Sequence, residues 1–157
     1  MTAYFFYTSA LVKYYHTEAC SDVVLRVMHE PDARHYMSRL GVVETMSAFA
    51  LKVRTSKVRT SEIDQSDFAP LRRRFLRDIS LEHYHTMHLT TGHYQEAVRL
   101  IATYVQRPLR ALDALLLSSA LDLVRLGMLD RFVCADARLC EMAAAEHLAV
   151  LNPMRES

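Results

Sequence analysis

Two acidic residues of the 157-residue chain lie in apolar segments, where a carboxylate needs a partner. The first is Glu44, which shares one helical face with Leu40, Ala48 and Leu51 in the segment "LGVVETMSAFALKVR". Two interpretations remain open for Glu44. It lies either at an edge where it reaches water or an arginine, or in a functional site on the buried side of its helix.

Asp113 lies in the segment "PLRALDALLLSSAL", which is apolar almost all round and therefore typical of a central helix. Pro108 fits the first turn of this helix, which places Asp113 more than a turn inside it, too deep for a cap. A carboxylate at such a position needs a cation or a metal ion. We therefore interpret Asp113 as a functional residue.

Asp136 follows the apolar segment "RFVCA" and precedes a helical pattern. An aspartate there is ordinarily an N-cap, but ligands of parallel α/β sheets also bind beyond the carboxyl ends of strands. If the sheet edge gathers Glu44, Asp113 and Asp136, three oxygen ligands without histidine or cysteine favour Mg²⁺ or Mn²⁺ over zinc. The chemistry would then be metal-assisted attack of water on a phosphodiester.

Short apolar segments alternate with helical patterns along the whole chain. Ser61 is predicted to cap the helix over 62–79, which Pro70 breaks or bends, and Gly127 ends the helix that begins at Pro108. The alternation predicts one α/β domain over residues 1–157, with a mostly parallel sheet of about five strands between helices. The predicted strands cover 3–7, 34–37, 83–89, 131–135 and 149–153, and the helices cover 9–15, 20–29, 40–56, 62–79, 92–105, 108–127 and 137–147.

The composition excludes several other classes of protein. A net charge of +1 gives no strong field toward nucleic acid or membrane, and no apolar run reaches the ~18 residues of a membrane span. The start "MTAYFFYTS" has no basic region, and its apolar run is too short for a signal peptide. Three cysteines without zinc spacing favour a reducing compartment. We therefore expect a cytoplasmic protein without a membrane partner.

Four segments together resemble the PIN-domain family, and more narrowly the VapC-like ribonuclease toxins of type II toxin–antitoxin modules. They are "FFYTSALVKYY", "SRLGVVETMSAFA", "RALDALLLSSALDL" and "FVCADARLCEMAAAEHLAVLNP", and the resemblance runs from residue 3 to about 153. It implies a PIN-like three-layer sandwich with Mg²⁺ or Mn²⁺ bound by the catalytic acids Glu44, Asp113 and Asp136. It also implies an RNA substrate, a cognate antitoxin and a homodimer.

Tyr7 stands where the resemblance places a fourth acid, at the end of the first strand in a pattern like "LDTSALVK". The hydroxyl that follows this acid corresponds to Thr8 or Ser9, and Arg110 is predicted to contact phosphate near the site. A phenol is larger than a carboxylate and neutral at pH 7, so it removes a charge and can fill the metal pocket. We therefore expect ribonuclease activity to be impaired or absent.

Three explanations for Tyr7 remain open. The chain is a degenerate member with a binding role, an inactivated copy of an active toxin, or a protein in which water replaces the missing carboxylate. The main alternative to a toxin is accordingly a non-catalytic PIN-like protein that binds RNA or protein.

Two further clusters suggest other sites. The basic segment "LRRRFLR" (71–77) is either an RNA-backbone contact or a solvated helix face, and we favour the solvated face. The histidines of "HYHTMH", His83, His85 and His88, have no partner cysteine, and strand alternation points His88 away from the other two. We do not predict a metal site there.

Overall fold

Five short parallel strands form the centre of the fold in the computed structural model, which describes residues 1–55 and 63–156. The strands are β1 (Ala3–Phe6), β2 (Arg34–Ser38), β3 (His85–Met87), β4 (Arg131–Val133) and β5 (Val150–Leu151). Their order across the sheet is β3-β2-β1-β4-β5, so β1 is central. Because all pairs are parallel, residues that follow β1 and β4 meet at the same edge of the sheet.

Helices cover both faces of the sheet. They are α1 (Thr8–Tyr15), α2 (Ser21–Met28), α3 (Arg39–Thr55), α4 (Gln65–Ser80), α5 (Thr91–Thr103), α6 (Ala111–Arg125) and α7 (Ala137–Ala145), followed by a 3₁₀ turn (Pro153–Arg155). One apolar cluster joins the sheet to α5, α6 and α7, and a second joins it to α1–α4. The predicted α/β sandwich with a central parallel sheet is confirmed.

Strand β1 is buried on both faces, which explains why its sequence is apolar at every position. Phe5 packs into the cluster on one face, where its ring stacks on Phe132 at 5.9 Å. Tyr4 and Phe6 point to the opposite face and join the other cluster. A strand buried on both sides needs apolar residues at every position, and this is typical of parallel sheets under two helical layers.

The start of α6 differs from the prediction. Residues 108–110 precede the helix, and Arg110 is its N-cap with extended backbone angles (φ −75°, ψ 155°). Asp113 therefore lies in the first turn of α6, and its predicted position more than a turn inside the helix was wrong. The end of α6 is as predicted, since Gly127 follows the helix with a left-handed φ of +67°.

Helix α4 also begins later than predicted. It starts at Gln65, where the Asp64 side chain accepts a hydrogen bond from the Gln65 N–H at 2.6 Å. Ser61, the predicted cap, lies outside the described residues. The prediction for Pro70 was a break or a bend, and the helix continues through it without a break.

Among the described residues, none of the helices has the length and hydropathy that crossing a membrane would require.

Candidate functional site

Tyr7 lies directly after β1 and is the N-cap of α1. Its backbone is fixed on both sides: its N–H donates to the Val133 carbonyl at 2.9 Å, and its carbonyl accepts from the Ala10 and Leu11 N–H groups at 3.0 and 3.1 Å. The side chain is buried against Phe132, with ring centroids 6.3 Å apart. The fold therefore holds the Tyr7 ring at the centre of the carboxyl edge of the sheet.

The Tyr7 hydroxyl donates a hydrogen bond to Oδ1 of Asp113, 106 residues away in sequence. Burial raises the pKa of Tyr7 far above its ordinary value, and the bond to Asp113 and the charge of Glu44 raise it further. The phenol therefore stays protonated throughout the physiological range. Tyr7 acts here as a hydrogen-bond donor and supplies no negative charge.

Arg110 binds the same carboxylate from the solvent side. Its Nε lies 2.9 Å from Oδ2 of Asp113, and its Nη2 lies 3.1 Å from Oδ1. The Asp113 side chain is 8% exposed and that of Arg110 is 70% exposed, so the ion pair lies at the boundary between core and water. These hydrogen bonds raise the pKa of Arg110 further. Both oxygens of Asp113 are therefore already bound by protein donors.

Glu44 projects from α3 toward the same edge. Its Oε2 accepts a hydrogen bond from the Thr8 hydroxyl at 2.5 Å. Burial raises the pKa of Glu44, and the nearby charge of Asp113 adds to this, while the Thr8 bond and Arg110 act in the opposite direction. Glu44 is thus partly desolvated and lines the groove near Arg110, and its functional role stays a prediction.

Glu44→Gln is expected to raise the free energy of unfolding at about pH 7, by less than about 1 kcal/mol. A folded-state pKa above the unfolded one means that stability falls as pH rises from the ordinary glutamate pKa through the raised value. A glutamine does not ionise and so avoids this loss of stability. The difference in free energy of unfolding between Glu44→Gln and the unaltered chain should therefore disappear at about pH 4. Urea unfolding at both pH values measures it. The exposed Glu141→Gln is the control, and an equal gain there would contradict the explanation.

Asp136 is the N-cap of α7. Its Oδ1 accepts hydrogen bonds from the Arg138 and Leu139 N–H groups at 2.9 and 3.2 Å. The ordinary capping role considered from the sequence is therefore present in the fold. The same residue also lines the site, because the segment after β4 returns beside the start of α1.

A groove of about 460 Å³ opens at this edge of the sheet. It is lined by six of the seven residues predicted from sequence, while Asp113 lies behind Tyr7 and Arg110 and lines a neighbouring cavity of about 290 Å³. The six are Tyr7, Thr8, Ser9, Glu44, Arg110 and Asp136. The structure therefore brings all the predicted positions to one edge, although they come from four separate parts of the chain.

An ion-pair network at the rim of the groove was not predicted. Glu18 lines the groove and accepts hydrogen bonds from Lys13 at 3.1 Å and Lys52 at 2.8 Å. Burial works against ionisation of Glu18, but the two lysines lower its pKa. The available signal was Lys13, a charged residue inside the apolar segment "SALVKYY". Its buried position requires an acidic partner.

The histidines and the basic segment lie away from the groove. His83 is near Asp78, with Nδ1 and Oδ1 separated by 3.6 Å, and His88 contacts Arg39 at 3.3 Å. His85 packs against the Tyr36 ring. The three histidines therefore contact different partners.

Within the basic segment on α4, Arg74 covers the Tyr14 and Tyr15 rings at 4.9 and 5.2 Å. Arg77 lies 3.8 Å from Asp78. These arginines are thus engaged in contacts within the protein, and a solvated helix face stays the favoured interpretation of the segment.

No family model and no curated protein matches the sequence. Solved structures are similar in fold. FitAB bound to an IR36 DNA fragment aligns with a TM-score of 0.65 and 14% identity, over 98% of this chain and 97% of that chain. FitAcB from Neisseria gonorrhoeae aligns with a TM-score of 0.65 and 14% identity, over 97% and 99%. VapBC-1 from nontypeable Haemophilus influenzae aligns with a TM-score of 0.61 and 12% identity, over 98% and 100%.

The alignments cover nearly the whole length of both chains in each case, and the five-stranded parallel sheet lies between helical layers. The chain has a PIN-like fold. At identities of 12–14% the similarity concerns the fold, and it says nothing about which side chains act.

The resemblance implies a divalent ion in this PIN-like chain, but the residues present do not fit one in their observed arrangement. Both oxygens of Asp113 accept from Tyr7 and Arg110, and Asp136 Oδ1 accepts from two backbone N–H groups. Across residues 1–55 and 63–156, no group of three or more His, Cys, Asp or Glu side chains is placed to hold a metal ion. The metal-binding roles of Glu44, Asp113 and Asp136 stay predictions.

Proposed function

We propose that this chain is a VapC-like protein of a toxin–antitoxin pair whose metal-dependent ribonuclease activity is lost or strongly impaired. The sequence resemblance supplies the class of protein, and the shared fold supports it. In an active relative, a divalent ion held by the acids would polarise the phosphodiester and activate water. In this chain the same edge of the sheet is occupied by side chains that compete with that ion.

The observation that carries the proposal is the double engagement of Asp113. The Tyr7 hydroxyl takes one of its oxygens, and the Arg110 guanidinium bridges both. The Arg110 guanidinium already neutralises this carboxylate, so a divalent ion would have to displace it. The ion would also lack a fourth acidic ligand, because Tyr7 provides a neutral phenol at that position. Hydrolysis that depends on such an ion is therefore disfavoured, whereas binding in the groove is not.

The groove retains the features of a protein-binding site. Four apolar residues line it, and Glu44 and Asp136 add negative charge, whereas Glu18 is already paired with Lys13 and Lys52. A segment that offers apolar side chains together with a basic one would match both kinds of lining residue. The apolar residues are Val12, Ala48, Leu51 and Leu112. We infer that the antitoxin implied by the resemblance occupies this groove.

The homodimer implied by the resemblance is also part of the proposal. On α5, Tyr94, Val98 and Ile101 follow one another at helical spacing and are 40–68% exposed. A row of exposed apolar side chains on one helix face is the kind of surface that a second copy covers. This row supports the dimer and lies on the opposite side of the sheet from α1 and α3, which line the groove.

The test is an RNA-cleavage assay of the unaltered chain with millimolar Mg²⁺, with Mn²⁺ and with EDTA, beside a calorimetric titration with Mn²⁺. The expected result is cleavage no faster with either ion than with EDTA, and no resolvable heat of Mn²⁺ binding. Asp113→Asn, which keeps the shape and removes the charge, is the matched variant and should behave the same. Cleavage that needs Mn²⁺ and disappears in Asp113→Asn would overturn the proposal.

A further inference from the structure

Two cysteines lie on either side of Asp136, six residues apart. Cys134 follows β4, and Cys140 is on α7. The Cys140 thiol donates to the Cys134 carbonyl oxygen at 3.1 Å, which places the Cys140 sulfur beside the Cys134 backbone. The third cysteine, Cys20, precedes α2 and is partly exposed. Only Cys134 and Cys140, among the cysteines, are therefore placed as a pair.

The two thiols differ in access. Cys134 is 0% exposed, and its sulfur lies 3.8 Å from the Ser9 hydroxyl beside the groove. Cys140 is 8% exposed and lines a separate cavity of about 270 Å³, which is also lined by Arg155. A small reagent entering this cavity meets Cys140 first, and Cys134 is the neighbouring thiol on the protein side.

We propose that Cys134 and Cys140 form a reversible thiol-oxidation site that reacts with hydroperoxides. In the first step the Cys140 sulfur attacks a peroxide oxygen, an S–O bond forms, the O–O bond breaks, and water leaves when the peroxide is hydrogen peroxide. In the second step the Cys134 sulfur attacks the Cys140 sulfenic acid, an S–S bond forms, the S–O bond breaks, and a second water leaves. Two thiols and one hydrogen peroxide give one disulfide and two waters.

The position of the pair gives this reaction a consequence for the site. A disulfide would connect the end of β4 to α7 across the segment that carries Asp136. It would also draw the Cys134 sulfur toward Cys140 and away from Ser9, whose hydroxyl accepts from the Ala135 N–H at 3.0 Å. Oxidation therefore acts on one wall of the groove. The chemistry of the pair is independent of the proposed function, and so is its test.

The test is treatment of the full chain with limited hydrogen peroxide, followed by alkylation, intact-mass measurement and peptide mapping. The expected result is a mass loss of about 2 Da, a crosslink between Cys134 and Cys140, and recovery of both thiols with dithiothreitol. Cys20→Ala is the matched control and should form the same crosslink. Because Cys20→Ala leaves Cys134 and Cys140 unchanged, it tests the crosslink even if variants at those two positions fail to fold.

The order of reaction is tested by two further variants. Cys134→Ala should accumulate sulfenic and then sulfinic acid on Cys140, whereas Cys140→Ala should leave Cys134 reduced at the same peroxide dose. Absence of the crosslink in both the unaltered chain and Cys20→Ala would overturn the proposal. So would oxidation of Cys20 before Cys140.

Discussion

Tyr7→Asp is expected to create Mn²⁺ binding, and with it Mn²⁺-dependent cleavage of RNA, in a chain that we expect to show neither. The change removes the phenol that donates to Asp113 and places a third carboxylate beside Asp113 and Glu44. Oxygen ligands in such a cluster favour hard divalent ions, and the accumulated negative charge competes with the hold of Arg110 on Asp113. The effect is the largest that we expect from any single substitution, because it restores both charge and space.

Thermal and urea unfolding give a readout that does not depend on catalysis. Without metal, the free energy of unfolding of Tyr7→Asp should be about 3 kcal/mol lower than that of the unaltered chain. The change removes the buried Tyr7 ring that packs on Phe132 and brings like charges together. Mn²⁺ at about ten times its dissociation constant should raise the free energy of unfolding of Tyr7→Asp by about 1.4 kcal/mol. Tyr7→Phe is the control: it loses the hydroxyl, keeps the ring and adds no charge, so Mn²⁺ should leave its stability unchanged.

The two readouts separate two ideas. A folded Tyr7→Asp protein that gains no stability with Mn²⁺ would show that Tyr7 does not conceal a metal site. The proposal that the unaltered chain lacks activity is tested on that chain alone and would survive such a result. Equal Mn²⁺ stabilisation of Tyr7→Asp and Tyr7→Phe would instead place the ion elsewhere.

The fold was predictable because its signals are local. Each strand is a short apolar run, each run is separated from the next by a helical pattern, and both faces of β1 are apolar, as a doubly covered parallel strand requires. Most strands were predicted too long, and β3 keeps only three of the seven predicted residues, whereas β2 is one residue longer than predicted. Pairing with β2 sets those limits, and a pairing partner cannot be identified from one segment alone.

The site was predictable as a set of positions but not as a set of contacts. The resemblance and the apolar surroundings of Glu44 and Asp113 located the edge of the sheet. The bond from Tyr7 to Asp113 joins residues 106 apart, so no local pattern contains it. The pair between Arg110 and Asp113 has favourable i,i+3 spacing. It was overlooked because Arg110 was predicted to contact phosphate instead.

Replacement of Arg110 by Met is expected to lower the free energy of unfolding by about 2 kcal/mol at neutral pH. Arg110 makes two hydrogen bonds to a carboxylate that is otherwise buried, and methionine leaves that charge with the Tyr7 hydroxyl as its remaining partner. Loss of one member of a fully buried ion pair costs about 3–5 kcal/mol. The cost here should be smaller because 70% of the Arg110 side chain is exposed, so water can reach the vacated position.

Urea unfolding of Arg110→Met, Asp113→Asn and the double variant measures how much of this cost comes from the buried charge. In the Asp113→Asn background, Arg110→Met should cost no more than about 0.5 kcal/mol, because no carboxylate is left unpaired. Arg107→Met is the matched control, since Arg107 pairs with the exposed Glu141 at 4.0 Å and should contribute less than about 1 kcal/mol. An equal loss at Arg107 and Arg110 would mean that Arg110 is an ordinary surface residue. The picture of Asp113 as an acid neutralised by the protein's own cation would then be wrong.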